Sequence, residues 1–187
     1  MGGGVLPACI KNNRLYFLFG KENKFADTPG WSDFGGGQDG KETFLDAAIR
    51  EGQEEMTGIL GDMKPYLDDG YYIIDFEKYK YRTHIVWVNY DEALVTYFNN
   101  VASFLQNKLD SSVIKKSKLF EKCELKWFSV EEMMAKKHLF RKYYQEIVDQ
   151  INKERFKIKS FLKKKNKKKN YNNNNNTRKE KKQKQKL

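Results

Sequence analysis

Residues 51–55 read Glu-Gly-Gln-Glu-Glu, which sets three carboxylates, Glu51, Glu54 and Glu55, at i, i+3 and i+4. On a helix these positions are neighbours on one side. Leu45, Ala48, Ile49, Gly52 and Met56 keep the i, i+3, i+4, i+7, i+11 spacing of a buried stripe, so an amphipathic helix is expected from Lys41 to Thr57 with its acids outward. Three negative charges packed together are unfavourable unless something cationic sits among them, and a divalent metal is the usual answer. Gly35, Gly36 and Gly37 come just before the helix, where bare backbone suits close approach to an ion or a phosphate. Whatever the fold, it has to seat a glycine loop against an acidic helix.

The wider spacing is Gly36, five residues, Glu42, seven residues, then Arg50-Glu51-Gly52-Gln53-Glu54-Glu55. It resembles the signature of the Nudix hydrolases, G-x5-E-x7-R-E-U-x-E-E-x-G-U, in which U is a bulky aliphatic residue. Gly36, Glu42, Arg50, Glu51, Glu54 and Glu55 all match; Gly52 replaces the first U, and one extra residue precedes Gly58-Ile59. The proline that often precedes the paired glycines in that family is also missing from Trp31–Gly36. Gly52 in the apolar stripe costs about 1 kcal/mol against alanine, and close packing on a neighbouring element accounts for it.

The resemblance implies an α/β fold, the α/β/α Nudix sandwich with a mixed sheet, over roughly residues 4–150. It implies hydrolysis of a nucleoside diphosphate linked to another moiety, with Mg²⁺ or Mn²⁺. Glu51, Glu54 and Glu55 would be the metal ligands, joined by the carbonyl of Gly35, and Glu54 and Glu55 the residues turnover depends on. Arg50, four residues before Glu54, would orient the carboxylates. Gly36 and Glu42 would be structural parts of the motif, Glu42 because acids are favoured in a first helical turn. The general base, in several members a glutamate before the last tryptophan-bearing strand, falls within Phe120–Trp127: Glu121 first, Glu124 as the alternative.

Charge divides the chain in two. Residues 163–187 hold eleven lysines, one arginine and one glutamate, +11 in all, which equals the net charge of the whole chain and leaves residues 1–162 neutral. A Nudix domain is expected over 1–160, followed by a disordered basic tail over 161–187, which from Lys163 on has no apolar residues able to support a core. That tail reads as a nonspecific electrostatic arm for RNA or DNA, as a basic localisation signal, or as compositional drift. Cys9 and Cys123 are isolated and read as buried free thiols, which suits an intracellular, cytoplasmic setting, with the nucleus open through the basic tail. With no basic-then-apolar leader and no apolar run near about 18 residues, neither a signal peptide nor a membrane span is expected.

Apolar runs Val5–Ile10 and Arg14–Phe19 around Lys11-Asn12-Asn13 read as a hairpin, and Trp31–Phe34 as a short extended segment. Tyr71–Phe76, Arg82–Tyr90 and Leu125–Phe128 read as strands, and Asp91–Leu109 as an inserted helix. Ser129 with Glu132 opens a short helix, and a longer one is expected over His138–Ile158. His84, Trp31, Phe34, Tyr72 and Trp87 are expected to pack rather than react. For the substrate, a capped RNA stands ahead of small molecules such as a dinucleoside polyphosphate, a nucleotide sugar or an inositol pyrophosphate. A catalytically inert RNA- or protein-binding module is the reading from another class. Lys21, Lys24, Lys78, Lys80 and Arg82 are candidates for a cationic patch. The sequence specifies no oligomeric state.

Overall fold

The computed structural model describes residues 1–117 and 120–184, the side chains from 168 onward excepted. Its strands are β1 (Gly2–Lys11), β2 (Arg14–Glu22), β3 (Trp31–Ser32), β4 (Phe34–Gly37), β5 (Tyr71–Phe76), β6 (Tyr81–Trp87) and β7 (Lys122–Ser129). They make one mixed sheet. β1 is its centre, parallel to β6 with Val5 opposite His84, and antiparallel to β2 through a turn at Asn12 and Asn13. Both asparagines take positive φ, 49° and 59°, as a two-residue hairpin turn requires and asparagine tolerates.

One edge of β1 is shared. Residues 8–11 pair with β2, whereas residues 2–5 pair with β4. Beyond Phe17, β2 leaves β1 and pairs instead with β3 at Gly20 and Lys21, with β7 along its other edge. The sheet thus forks, and Asp33, between β3 and β4, crosses the fork. The expected single segment Trp31–Phe34 is split there for that reason.

Helices α1 (Phe44–Glu55) and α3 (Glu92–Lys108) cover one face, and α6 (Tyr144–Lys184) the other. Alternate strand residues sort between them, as a period of two dictates. Leu6, Phe17 and Phe19 join Tyr144, Ile147, Ile151 and Ile158 of α6. Val5, Leu18 and Leu125 join Ala48 of α1, Met56 just beyond its end and Phe98 of α3. This is the expected α/β/α Nudix sandwich. Short helices α2 (Lys64–Asp68), α4 (Ser111–Ser117) and α5 (Val130–Ala135) complete it. Among the described residues no helix is long and apolar enough to cross a membrane.

Several boundaries move, each for a local reason. α1 starts at Phe44, not Lys41, because Thr43 caps it: Asp46 N–H donates to the Thr43 hydroxyl, and Thr43 N–H donates back to the Asp46 carboxylate. It stops before Thr57 and Gly58, which turn to positive φ of 53° and 68°. The inserted helix agrees to within one residue at each end, with Asp91 accepting from Leu94 N–H as its cap. The last helix begins at Tyr144, not His138, because Phe140 is drawn out into a bridge with Trp31 and packs against Phe19 and Phe128. A tail loose from residue 161 is also corrected at its start. Leu162 is fully buried, Phe161 packs on the core, and Lys165 bonds to Asp69. The helix runs on to Lys184, lysine being a good helix former; side chains 168–187, where the basic tail was expected, lie outside the described residues.

Candidate active site

α1 lies over β1 and β4, so its acids meet the glycine strand Phe34–Gly37. Two cations divide them. Arg50 serves the outer group: its Nε and Nη2 donate to the two oxygens of Glu42 at 2.8 and 2.9 Å, its Nη1 to Glu51 at 2.7 Å, and its Nη2 also to the carbonyl of Gly37 at 2.9 Å. Glu54 lies 3.8 Å away on the solvent side, its side chain 61% exposed. Hydrogen bonds from Arg50 and from the Asp39 N–H hold the Glu42 carboxyl down to about 2. Gly36 is where the backbone lets Glu51 in: a Cβ there would stand 2.5 Å from the Glu51 carboxyl group.

Glu55 turns the other way, into the protein. Its carboxylate is buried, accepts the Gly35 N–H at 2.7 Å, and meets the Lys122 ammonium at 3.2 Å. Lys122 itself has no exposed surface and also donates to Glu22 and to the Ser32 hydroxyl, the latter at 2.9 Å. Its stem passes over Gly20, where a Cβ would be 2.7 Å from the lysine chain. Arg141 closes the cluster, donating to Glu22 at 2.8 Å and clasping the Thr28 hydroxyl. Burial pushes the Glu55 carboxyl up to about 8, with Glu22 adding to the push and Lys122 and Gly35 opposing it. Burial disfavours the charged form of Lys122, but Glu55 and Glu22 outweigh it and leave its pKa raised. Asp33, at the fork, accepts from Tyr81 at 2.9 Å and Thr83 at 2.8 Å, and burial lifts it to about 6.

Part of this cluster lines a cleft of about 400 Å³: Glu22, Glu51 and Glu55 make its acidic floor with Gly35 and Gly36, and Phe25, Ala26, Arg141 and Ile114 and Lys115 of α4 are also in its lining. Of the two candidate bases, Glu121 lines this cleft, whereas Glu124 pairs with Lys21 at 3.1 Å and borders a separate hollow beside α3. Gly35 meets Glu55 through its N–H. Among the described residues no three carboxylate, histidine or cysteine side chains converge as a ready-made metal cage. The donor set still fits a hard divalent cation: Mg²⁺ is typically held by one or two carboxylates together with substrate phosphates and water, and Glu51 and Glu55 both face the cleft.

Elsewhere the sequence candidates fall into packing roles. His84 is buried with its Nδ1 3.2 Å from the Gly4 carbonyl, and Trp31, Phe34 and Trp87 are core. Tyr72 bonds to Glu154 at 2.5 Å. Lys21, Lys78 and Arg82 are each matched by an acid, Glu124, Glu146 and Asp75, so they form no patch of unpaired cations. Sequence reading missed Glu22, Lys122 and Arg141. Each sits at the end of an apolar or polar run with no motif around it, and its ion-pair partners are 67 to 119 residues distant.

The family model of the NUDIX domain matches residues 5–150. The uncharacterized protein L534 of Acanthamoeba polyphaga mimivirus is 44% identical over 55 residues, 28% of this chain and 18% of that protein, so the chain matches less than a fifth of the viral relative. A solved Ap4A hydrolase from C. elegans is similar over 82% of this chain and 94% of its own, with 18% identity and a TM-score of 0.47. The MutT protein of Methanosarcina mazei Go1 is similar over 82% and 93%, with 16% identity and a TM-score of 0.44.

Proposed function

The chain belongs to the Nudix family, and on that premise we propose that it is a pyrophosphohydrolase that cleaves a nucleoside-diphosphate-linked substrate in the cleft beside α1, a capped RNA end ahead of free nucleotides. The observation that supports this reading is the charge of the cleft floor. Glu22, Glu51 and Glu55 line one cavity, and the cations nearest them, Lys122, Arg141 and Arg50, already serve those carboxylates. A diphosphate would be repelled from such a floor unless a divalent cation bridged the two sets of oxygens.

Glu51 and Glu55 would hold that ion from the cleft, with Glu54 at the lip and the Gly35 carbonyl as further donors. When bound, Mg²⁺ or Mn²⁺ polarises a phosphoryl oxygen and lowers the pKa of a bound water. Arg50 keeps Glu51 aimed by holding it against Glu42 and Gly37. Glu121, in the cleft wall, takes the proton of the attacking water. The Phe25 ring in the cleft lining would stack on a base, and Lys115, also in the lining, would meet the phosphate chain. About 400 Å³ suffices for one nucleotide. Free nucleotide derivatives, of which one nucleotide unit would fill that volume, are the second reading.

The net charge of +11 carried by residues 163–187 favours RNA, because phosphate-backbone attraction of this kind needs no sequence. The test is incubation with Mg²⁺ and cap-labelled RNA beside a panel of free nucleotides, identifying the product released. Release of 7-methyl-GDP from RNA with little action on the panel is expected. Turnover of the panel alone assigns the chain to small nucleotides.

A further inference from the structure

Helix α3 is apolar on both sides. Val95, Phe98 and Ala102 are buried toward β7, and Asn99 uses its side-chain amide to pair with both backbone groups of Leu125, sealing the sheet edge. On the opposite side Tyr97, Val101 and Phe104 repeat at i, i+4 and i+7 and are 69%, 49% and 61% exposed. From Ala93 to Asn107 the helix carries no charged residue at all, in a chain that is 33% charged. A helix face of this kind is ordinarily covered.

We propose that a second copy of this chain covers it, α3 packing antiparallel on α3 about a two-fold axis beside Val101. The stripe is self-complementary in the way such an interface requires. Two large rings flank one small residue, so the two-fold sets Phe104 of each copy beside Tyr97 of the other. Next to Tyr97 and Val101 lies an apolar hollow of about 210 Å³, walled by Thr57, Ile59 and Phe120, and a phenylalanine ring fits that space. Antiparallel pairing also brings Lys108 at one end toward Asp91 and Glu92 at the start of the other helix, so the ends attract. Neutrality of residues 1–162 leaves no net repulsion between the two domains. The lysine-rich end of the chain is the poorer occupant, since α6 packs on the opposite face of the sheet.

Tyr97, Val101 and Phe104 together offer roughly 300 Å² of apolar surface per copy. With a polar rim of Thr96, Asn100, Ser103 and Asn107 the contact reaches the lower end of stable interfaces, so association in the micromolar range is expected.

Sedimentation velocity of the full chain from roughly 1 to 200 µM tests this. The wild-type mass should rise from 22.1 kDa toward twice that value, while Phe104→Asp and Tyr97→Asp stay at one chain throughout. Both positions are exposed, so the variants should keep the wild-type circular dichroism and melting temperature. Val101→Cys, beside the axis, should form a disulfide-linked dimer on mild oxidation. A wild-type monomer at every concentration overturns the proposal, whether another protein or the chain's own end covers the stripe. A dimer that survives Phe104→Asp overturns it as well.

Discussion

Replacing Lys122 with methionine keeps most of the buried stem and removes only the charge. In the folded protein that charge sits between Glu22 and Glu55, with no exposed surface of its own. Removing one partner of a buried ion pair costs about 3–5 kcal/mol, because the other charge is left in a poor medium. Here the loss is partly relieved. Arg141 still serves Glu22, and Glu55, already lifted to about 8, can take a proton near neutral pH. A destabilisation of about 2–4 kcal/mol is therefore expected at pH 7, or a melting temperature lower by roughly 6–12 °C for a chain of this size. The sign of the pH effect follows from Glu55. Without Lys122 its folded pKa rises further, so between its unfolded value and that folded value the native state binds more protons than the unfolded state. Stability then falls as pH rises. Urea unfolding at pH 6 and pH 9, with chelator present, should show the larger loss at pH 9. The double variant Lys122→Met/Glu55→Gln removes both charges and should recover at least half of the loss. A loss under about 1 kcal/mol at both pH values would refute the reasoning, because a lysine truly buried between two carboxylates cannot be so cheap to neutralise.

Glu54→Gln and Glu55→Gln should each lower kcat by at least about 100-fold with Mg²⁺ while leaving the unfolding transition cooperative; full activity in both would remove the metal from this helix. Glu121→Gln should lower kcat by roughly 100-fold, and Glu124→Gln should leave it within about two-fold, since only the first lines the cleft. Burial lowers the pKa of His84 below its unfolded value of about 6.5, so the neutral ring's stability contribution is complete above pH 6.5 and is lost as pH falls below it. Thermal melts from pH 7.5 to 5 should fall accordingly, and His84→Gln should flatten that slope. Deleting residues 168–187 should weaken RNA binding at low salt and leave hydrolysis of a free dinucleotide unchanged; filter binding over a salt series measures the first and product release the second.

Much of the fold was legible because its elements announce themselves locally. β5 was placed at Tyr71–Phe76 without error, and α3 to within a residue, since β-branched and aromatic runs or a capped apolar stripe leave few alternatives. The acidic face of α1 was visible in its spacing, as was the nearness of the glycines. What could not be read is how those acids divide. Nothing near Glu55 says that it turns inward to a lysine sixty-seven residues later, while Glu51 turns to its neighbour Arg50. Lys122 lies three residues before the strand expected at Leu125–Phe128 and Glu22 three beyond the one expected at Arg14–Phe19, so both read as ordinary charges outside the strands, which in fact extend to include them. Their burial arises only where the sheet forks and the ends of β2, β3 and β7 come together. The forking also explains why Trp31–Phe34 looked like one strand: extended backbone persists through Asp33, and only the pairing partner changes.

The parallel pairing of β1 with β6 has a consequence for the order of assembly. β1 meets β2 across a two-residue turn, but Val5 waits for His84, almost eighty residues along the chain. Closing that loop carries an entropic cost that no local contact offsets, so the hairpin can form early while its outer edge stays open. Until β6 arrives, the apolar run Val5–Ala8 exposes unpaired backbone along one side, a template for any other extended chain. Ile85→Gly in β6 removes a fully buried side chain and should thus lower the stability of the finished fold, and the slowed docking should add aggregation during refolding.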